Sequence, residues 1–239
     1  VHVGPLLKSR LVGCGNFEDQ EGLRTDSPAG DVDSHNLVFS WSSSHKVKIR
    51  SADISNAYLQ GTEVDRITLY KIPKGGIPEE NINEGDVIAA RVPIYGIADA
   101  GRGFWLHLKE VVLSKGYTLN KILPTMFALR KNGKIVGVMS SNVDDLLHGG
   151  VPEAEEDMKN MIEKSAIRQQ EENSVRFCGK EVVQDADYNI TITAKDNTEK
   201  IRPVDIGMKR KMTDKCTPGE ITALRSVTAT SAWVARQVR

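Results

Sequence analysis

This chain lacks the features that mark a disulfide scaffold, a zinc domain or a membrane protein. Its three cysteines, Cys14, Cys178 and Cys216, are widely spaced, with no Cys-x-x-Cys pair and no Cys/His ligand spacing. A zinc site or a disulfide framework is therefore not expected, whereas a reducing intracellular setting is. No apolar run approaches ~18 residues, which argues against a transmembrane helix. Internal repeats and low-complexity segments are also lacking.

The start of the chain lacks two further features. Val1–Pro5 shows no basic segment followed by an apolar one, and it contains no initiator Met. We therefore expect no signal peptide, and we expect a fragment of a longer product. With 239 residues, the chain is long enough to bury a sizeable core as one large domain or two small ones.

Net charge gives no global attraction to nucleic acid, because 32 Lys and Arg residues balance 32 Asp and Glu residues. The charges are nevertheless unevenly distributed, since residues 153–172 are strongly acidic and the last third is basic. The cations of that third are Lys200, Arg202, Lys209, Arg210, Lys211, Lys215, Arg225, Arg236 and Arg239. This basic segment either follows a phosphate backbone or is a solvated helix face, and its charge alone leaves both interpretations open.

Three carboxylates stand at the ends of strand-like runs. Asp144 and Asp145 separate the apolar run Ile135–Met139 from a second apolar pair, which predicts a β-hairpin with acids at its bend. Asp53 follows the strand-like run Val47–Arg50, about ninety positions upstream. Antiparallel pairing of these strands would bring the three acids together. Oxygen ligands from different strands suit two magnesium ions, so the pattern predicts a two-metal phosphoryl-transfer site.

The remaining pattern predicts a mixed α+β domain followed by a more helical tail. Helical spacing is found over Asn36–Ser44, over Gly103–Lys115 with Gly116 as C-terminal cap, and from Pro152 onward. Met126–Leu129 and Lys134–Met139 should form a hairpin through the Asn132-Gly133 pair. The other predicted strands are Leu6–Val12, Lys46–Ile54, Ile67–Ile72, Val87–Pro93, Leu146–Gly149, Val175–Val183 and Asn189–Thr193.

Five segments follow one another along the chain: KSRLVGCGNFE (Lys8–Glu18), SADISNAYLQG (Ser51–Gly61), VPIYGIADAGRGFW (Val92–Trp105), NGKIVGVMSSNVDDLLHGG (Asn132–Gly150) and VRFCGKEVV (Val175–Val183), the last with ALRSVTATSAWVA (Ala223–Ala235). In this order they resemble the reverse transcriptase domain of copia-type LTR retrotransposons. For example, Asn132–Gly150 is similar to the family's NGKIVYLLVYVDDLLITG, and Ser51–Gly61 to its LDVKNAFLNG. Each is weak alone, but together they cover almost the whole chain.

The resemblance implies a right-hand polymerase fold of the α+β class, with fingers and palm on an antiparallel sheet and a partial helical thumb. Residues 1–199 would form fingers and palm, and 200–239 the start of a truncated thumb, with no RNase H domain. The implied activity is RNA-directed DNA polymerisation within a retrotransposon polyprotein. Its partners would be an RNA template, a DNA primer and a dNTP, without a membrane. The expected location is a cytoplasmic retroelement particle or the nucleus, and nothing indicates the oligomeric state.

The family's catalytic and metal-binding carboxylates fall on Asp53, Asp144 and Asp145. The resemblance implies two Mg²⁺ ions as cofactors, with Mn²⁺ as an alternative. One ion would lower the pKa of the primer 3′-hydroxyl, and the other would hold the triphosphate and stabilise the leaving pyrophosphate.

The resemblance makes three further residues candidates for the nucleotide pocket. Arg10 matches a fingers Arg that contacts the incoming nucleotide in related polymerases, and Lys8 lies beside it. Both cations can equally be exposed groups that protect a strand edge. Tyr58 matches the bulky aromatic that blocks a ribose 2′-hydroxyl, although an aromatic there can also be a core residue.

Two positions depart from the family pattern. Asn142 replaces the Tyr before Val-Asp-Asp, and Asp99 stands where the family has a Gln that resembles a nucleotide-pocket residue. A carboxylate near a triphosphate is repulsive unless a cation intervenes, so we expect weak nucleotide binding.

Two rivals to polymerase activity remain open on the sequence. The first is a decayed, non-catalytic nucleic-acid-binding remnant of a retroelement. The second is an unrelated metal-dependent phosphotransferase or nuclease, for which the only neighbouring general base is His148.

Overall fold

The computed structural model describes residues 10–63, 66–164, 167–207, 211 and 213–238. Lys8 and most of the predicted strand Leu6–Val12 lie outside these residues, and residues 10–12 are not in a strand. Across the described part of the chain, no helix combines the length and apolar character needed to cross a bilayer.

The described residues form five α-helices, eleven strands and three short 3₁₀ turns. The helices are α1 Val32–Ser44, α2 Ala100–Ser114, α3 Pro152–Lys164, α4 Lys195–Thr198 and α5 Pro218–Gln237, and the 3₁₀ turns are Gly15–Phe17, Ala57–Gln60 and Pro78–Glu80. The strands are β1 Ile49–Ile54, β2 Thr68–Lys71, β3 Val87–Ala90, β4 Tyr117–Leu119, β5 Met126–Lys131, β6 Lys134–Asn142, β7 Asp145–Gly150, β8 Ile167–Glu172, β9 Ser174–Phe177, β10 Lys180–Gln184 and β11 Ile190–Thr193.

A six-stranded antiparallel sheet organises the molecule. Its strand order is β4-β5-β6-β7-β1-β8, so β1 is inserted between the β6–β7 hairpin and β8. This order confirms the α+β class with antiparallel strands. It also brings the end of β1 to the start of β7, although about ninety residues separate them in the chain.

The two faces of the sheet bury different cores, because side chains alternate along each strand. One face carries Ala52 and Leu146 and packs against α2 and α3 through a first hydrophobic cluster. The opposite face carries Ile49 and Leu147 and packs against α1 and the β9–β11 sheet through a second cluster. Both faces of the sheet are therefore covered by other elements. The polar side chains considered below lie at the end of β1 and the start of β7.

Smaller units flank the central sheet. Strands β2 and β3 form a two-stranded sheet, and β9, β10 and β11 form a three-stranded one. Helix α5 begins with a reciprocal capping box between Thr217 and Glu220. Its Trp233 ring lies against Gly179 in the β9–β10 turn, where an added Cβ would come within 3.1 Å of the ring.

Several predicted elements are confirmed. The β5–β6 hairpin turns through Asn132 and Gly133, whose φ values of +51° and +76° suit a type I′ turn. Gly116 follows α2 with φ +83°, as expected of a C-terminal glycine. The helix predicted from Pro152 is α3.

Other expectations were wrong in extent or number. Helix α1 begins at Val32, four residues earlier than predicted, because Asp31 caps it by accepting a 2.7 Å hydrogen bond from the Ser34 N–H. The predicted single strand Val175–Val183 is a hairpin that turns at Cys178 and Gly179, both with positive φ. Strands β4 and β8 were not predicted, since β4 is very short and β8 is polar.

Candidate functional site

Asp53 and Asp145 lie directly opposite each other on adjacent strands. They are paired residues in the β1–β7 ladder, and paired Cα atoms are about 4.5–5.5 Å apart. Paired residues of antiparallel strands project to the same face, so both carboxylates start from one side of the sheet. The prediction that the strand ending at Asp53 pairs with the acidic hairpin is confirmed.

Asp144 is held at the bend of the β6–β7 hairpin. Asn142 pairs with Asp145, so Val143 and Asp144 form a two-residue turn. Val143 has φ +55°, which is unfavourable for a β-branched side chain and costs on the order of 1–3 kcal/mol. A 2.9 Å hydrogen bond from the Ile54 N–H to the Asp144 carbonyl fastens this strained turn to β1. The hairpin therefore fixes the backbone of both acids relative to Asp53.

The acids are partly buried and repel one another. Burial first, and then the charges of Asp144, Asp53 and Glu171, raise the pKa of Asp145 to about 6. Burial and the charge of Asp53 also raise the pKa of Asp144, which Arg10 partly opposes. Among the described residues, negative charge is thus concentrated here, and Arg10 is the cation that partly compensates it.

This donor set fits hard divalent cations in its chemistry. Partly desolvated carboxylates on adjacent strands are the oxygen ligands that Mg²⁺ prefers, and their mutual repulsion would be relieved by a cation. As they stand, however, no group of three or more His, Cys, Asp or Glu side chains within the described residues could hold a metal ion. The convergence of Asp53, Asp144 and Asp145 on shared ions therefore stays a prediction.

Three side chains in contact with one another, Arg10, Tyr95 and Tyr58, adjoin the acids. The Arg10 guanidinium carbon lies 4.0 Å from the centroid of the Tyr95 ring. The Tyr95 ring in turn lies 4.9 Å from the Tyr58 ring, centroid to centroid. Tyr58 is half-buried and packs against the first hydrophobic cluster. Burial first, and then the nearby charge of Asp144, raise its phenol pKa. Tyr58 is consequently both a core contact and a neighbour of the acid site.

Asp99 is paired with a cation, which is the condition under which its repulsion of a triphosphate was expected to weaken. It lies at the start of α2, and its carboxylate accepts hydrogen bonds of 2.9 and 3.3 Å from Arg66. Arg66 also donates a 2.9 Å bond to Glu18, whose carboxylate accepts from the Ala98 N–H. The three side chains are 14–28% exposed. Arg66 thus partly compensates Asp99 but is shared with Glu18, and weak nucleotide binding stays a prediction.

The other predicted residues have separate outcomes. Asn142 is half-buried at the end of β6, beside the acidic turn, where the family's Tyr would stand. Lys8 lies outside the described residues, so its predicted role beside Arg10 remains a prediction.

His148 cannot act as a base for the acids. It is an odd number of residues from Asp145 along β7, so it projects from the opposite face, where it pairs with Arg50. It is 5% exposed, and burial together with Arg50 lowers its pKa to about 3. The nuclease hypothesis therefore lacks the base on which it depended.

Sequence reasoning missed three residues around the site. Tyr95 lies in the matched segment Val92–Trp105, where an aromatic before Gly96 was the available signal. Arg66 carried no signal, because it is a single cation in a loop. Glu171 lies on the unpredicted strand β8 and adds its negative charge to the surroundings of Asp145.

Comparison with known proteins adds independent findings. The family model described as Reverse transcriptase (RNA-dependent DNA polymerase) matches residues 4–218. The Retrovirus-related Pol polyproteins from transposons RE1 and RE2 of Arabidopsis thaliana are 31% and 30% identical to the chain over 146 residues. That stretch is 60% of this chain and 10% of each relative, so the chain spans a small part of their length.

One solved structure also resembles the chain. Telomerase from Candida albicans, in complex with a fragment of telomeric RNA, superposes with a TM-score of 0.43 at 11% identity. The match covers 69% of this chain and 34% of that one.

Proposed function

The chain belongs to the reverse transcriptase (RNA-dependent DNA polymerase) family, and we propose that it is the RNA-directed DNA polymerase domain of a retrotransposon polyprotein. The predicted resemblance to copia-type elements is confirmed by the family match and by the Arabidopsis thaliana relatives. The proposed substrates are an RNA template, a DNA primer and a dNTP. We further propose that residues 1–199 form fingers and palm and that 200–239 begin the thumb.

The proposal is carried by the pairing of Asp53 with Asp145 beside the strained turn that holds Asp144. These acids repel each other, and the part of the chain that the structure describes places no matching cluster of cations beside them, which is the electrostatic situation a divalent cation relieves. When bound to these carboxylates, Mg²⁺ would activate the primer 3′-hydroxyl and neutralise the leaving pyrophosphate.

The chain's own residues have distinct roles in this proposal. Asp53 and Asp145 supply oxygen ligands from one face of the sheet, and the β6–β7 turn holds Asp144 next to them. Arg10 carries an exposed guanidinium that can donate to triphosphate oxygens. Tyr58 limits the space beside the nucleotide sugar, so that deoxynucleotides are preferred.

Primer extension tests this function. The full 239-residue chain would be incubated with oligo(dT) on poly(rA), dTTP and either Mg²⁺ or Mn²⁺. We expect metal-dependent extension that is lost in Asp53→Asn. The matched control is Asp157→Asn, which removes an exposed partner of Lys131 far from the site and should retain extension.

The outcomes separate the polymerase from its main rival. Template-primer binding without extension, under either metal, would favour the decayed nucleic-acid-binding remnant. Extension that persists in Asp53→Asn would show that the carboxylate pair takes no part in nucleotide transfer.

A further inference from the structure

Tyr95 lies between Arg10 and Tyr58 in the candidate site. The Arg10 guanidinium carbon lies 4.0 Å from the centroid of the Tyr95 ring, and the centroid of the Tyr58 ring lies 4.9 Å from it. Arg10 is exposed and has no ion-pair partner among the described residues. Its guanidinium lies over the face of the Tyr95 ring. A guanidinium on a flexible chain loses considerable rotamer freedom when it is held in one place.

Backbone contacts hold the Arg10 segment at this position. The Gly13 N–H donates to the Tyr95 carbonyl at 2.7 Å, and the Gly15 N–H donates to the Gly96 carbonyl at 3.0 Å. The two segments approach so closely that an added Cβ on Gly96 would lie 2.2 Å from the Gly13 carbonyl oxygen. The backbone of Tyr95 thus fixes the segment, and its ring fixes the side chain that the segment presents.

We propose that Tyr95 is a positioning residue that holds the Arg10 guanidinium, by stacking, where it can receive the triphosphate of the incoming nucleotide. The inference rests on the proposed function. Stacking leaves the N–H groups at the edge of the guanidinium free, and these are the groups that bind phosphate oxygens. Tyr95 itself needs to touch neither the nucleotide nor the acids.

The test compares variants that keep or remove the ring. Tyr95→Phe retains the aromatic face, whereas Tyr95→Leu removes it with a moderate loss of volume. A cation–π contact at an exposed site corresponds to roughly a two- to five-fold change in binding. We therefore expect Tyr95→Leu to raise the KM for dTTP by about that factor with little change in kcat, and Tyr95→Phe to behave like the parent.

A double-mutant cycle separates positioning from general packing. In an Arg10→Met background, Tyr95→Leu should have no further effect on the KM for dTTP, because the group it positions is gone. The matched control is Trp41→Leu, which removes another aromatic stack, 4.3 Å from His45 and remote from the acids, and should leave the KM unchanged. An equal rise in both backgrounds, or a rise in Tyr95→Phe as large as in Tyr95→Leu, would overturn the proposal.

Equilibrium binding of dTTP with Ca²⁺, measured by calorimetry on the same variants, distinguishes this inference from the proposed function. If the parent binds dTTP but does not extend primers, and Tyr95→Leu weakens that binding, the positioning role stands without polymerase activity. If the parent extends primers and Tyr95→Leu is unchanged, the polymerase stands and the positioning role falls. A parent that does not bind dTTP contradicts both.

Discussion

Two groups of acids in this molecule have opposite electrostatic environments. Asp99 and Glu18 share Arg66, so a cation partly compensates their charges within the protein. Asp144 and Asp145 lie in a similarly half-buried region, but their strongest charged neighbours are other acids, and their pKa values are raised. Carboxylates at similar depth thus differ in whether a cation or another acid is their main charged neighbour.

This contrast distinguishes acids that stabilise the fold from acids that can bind a ligand. A carboxylate paired with an arginine stabilises the fold and leaves little charge for a ligand. A set of unpaired carboxylates destabilises the fold and provides a site for a cation.

The largest effect is expected for Asp145→Asn. If Asp145 binds metal directly, as proposed, its loss should reduce kcat/KM by at least about a hundred-fold, because even indirect partners of a metal site are worth about 10–100-fold. The fold should become no less stable, since a repelling charge is removed. Primer extension and thermal unfolding would measure the two effects, with Asp157→Asn as control. Activity within ten-fold of the parent's would contradict the assignment.

The next effect concerns Tyr58, which adjoins both the acids and the core. Tyr58→Ala should increase ribonucleotide use relative to deoxynucleotide use by on the order of ten-fold, because a steric contact is lost. Some stability should also be lost, about 1–3 kcal/mol for a half-buried aromatic. Competitive incorporation of UTP and dTTP measures the selectivity, and Tyr58→Phe is the control. Unchanged discrimination in Tyr58→Ala would leave the residue with a packing role only.

Removing a charge from the group formed by Arg66, Glu18 and Asp99 should lower stability, whereas removing a charge from the acid site should not. Arg66→Met leaves Glu18 and Asp99 without their shared cation, so the free energy of unfolding should fall by about 1–2 kcal/mol. Urea denaturation at neutral pH measures this change. Lys131→Met breaks an exposed pair and should cost less than about 0.5 kcal/mol. Equal stability of Arg66→Met and the parent would erase the contrast between the two groups.

The smallest effect is a pH-dependent difference in stability. Because the pKa of Asp145 is about 6 in the folded state and 3.8 in the unfolded reference, its favourable contribution is present below pH 3.8 and is lost as pH rises through 6. Asp145→Asn should therefore gain stability relative to the parent between pH 4 and 7, by about 1 kcal/mol after allowing for solvent screening. Denaturation curves at several pH values measure the difference. A constant difference across this range would show that Asp145 does not titrate abnormally.

Much of the fold followed from local patterns. The β5–β6 hairpin was predicted from its Asn-Gly pair, and α3 from Pro152 and its acidic first turn, because these signals act within a few residues. The start of α1 was predicted four residues too late, because its cap, Asp31, lies in a polar stretch without helical spacing of apolar residues. The β9–β10 turn was missed, because Cys178 adopts φ +48°, which its residue type does not favour.

Motifs and strand patterns were sufficient to identify the family, the three acids and their place at strand ends. Long-range contacts, in contrast, establish which charges are compensated, which face of the sheet His148 occupies and which side chains surround Arg10. Arg66 contacts Asp99 across 33 residues and Glu18 across 48, and no local pattern records such partners. A carboxylate's chemistry depends on the charges and solvent around it, and folding brings those surroundings from distant parts of the chain.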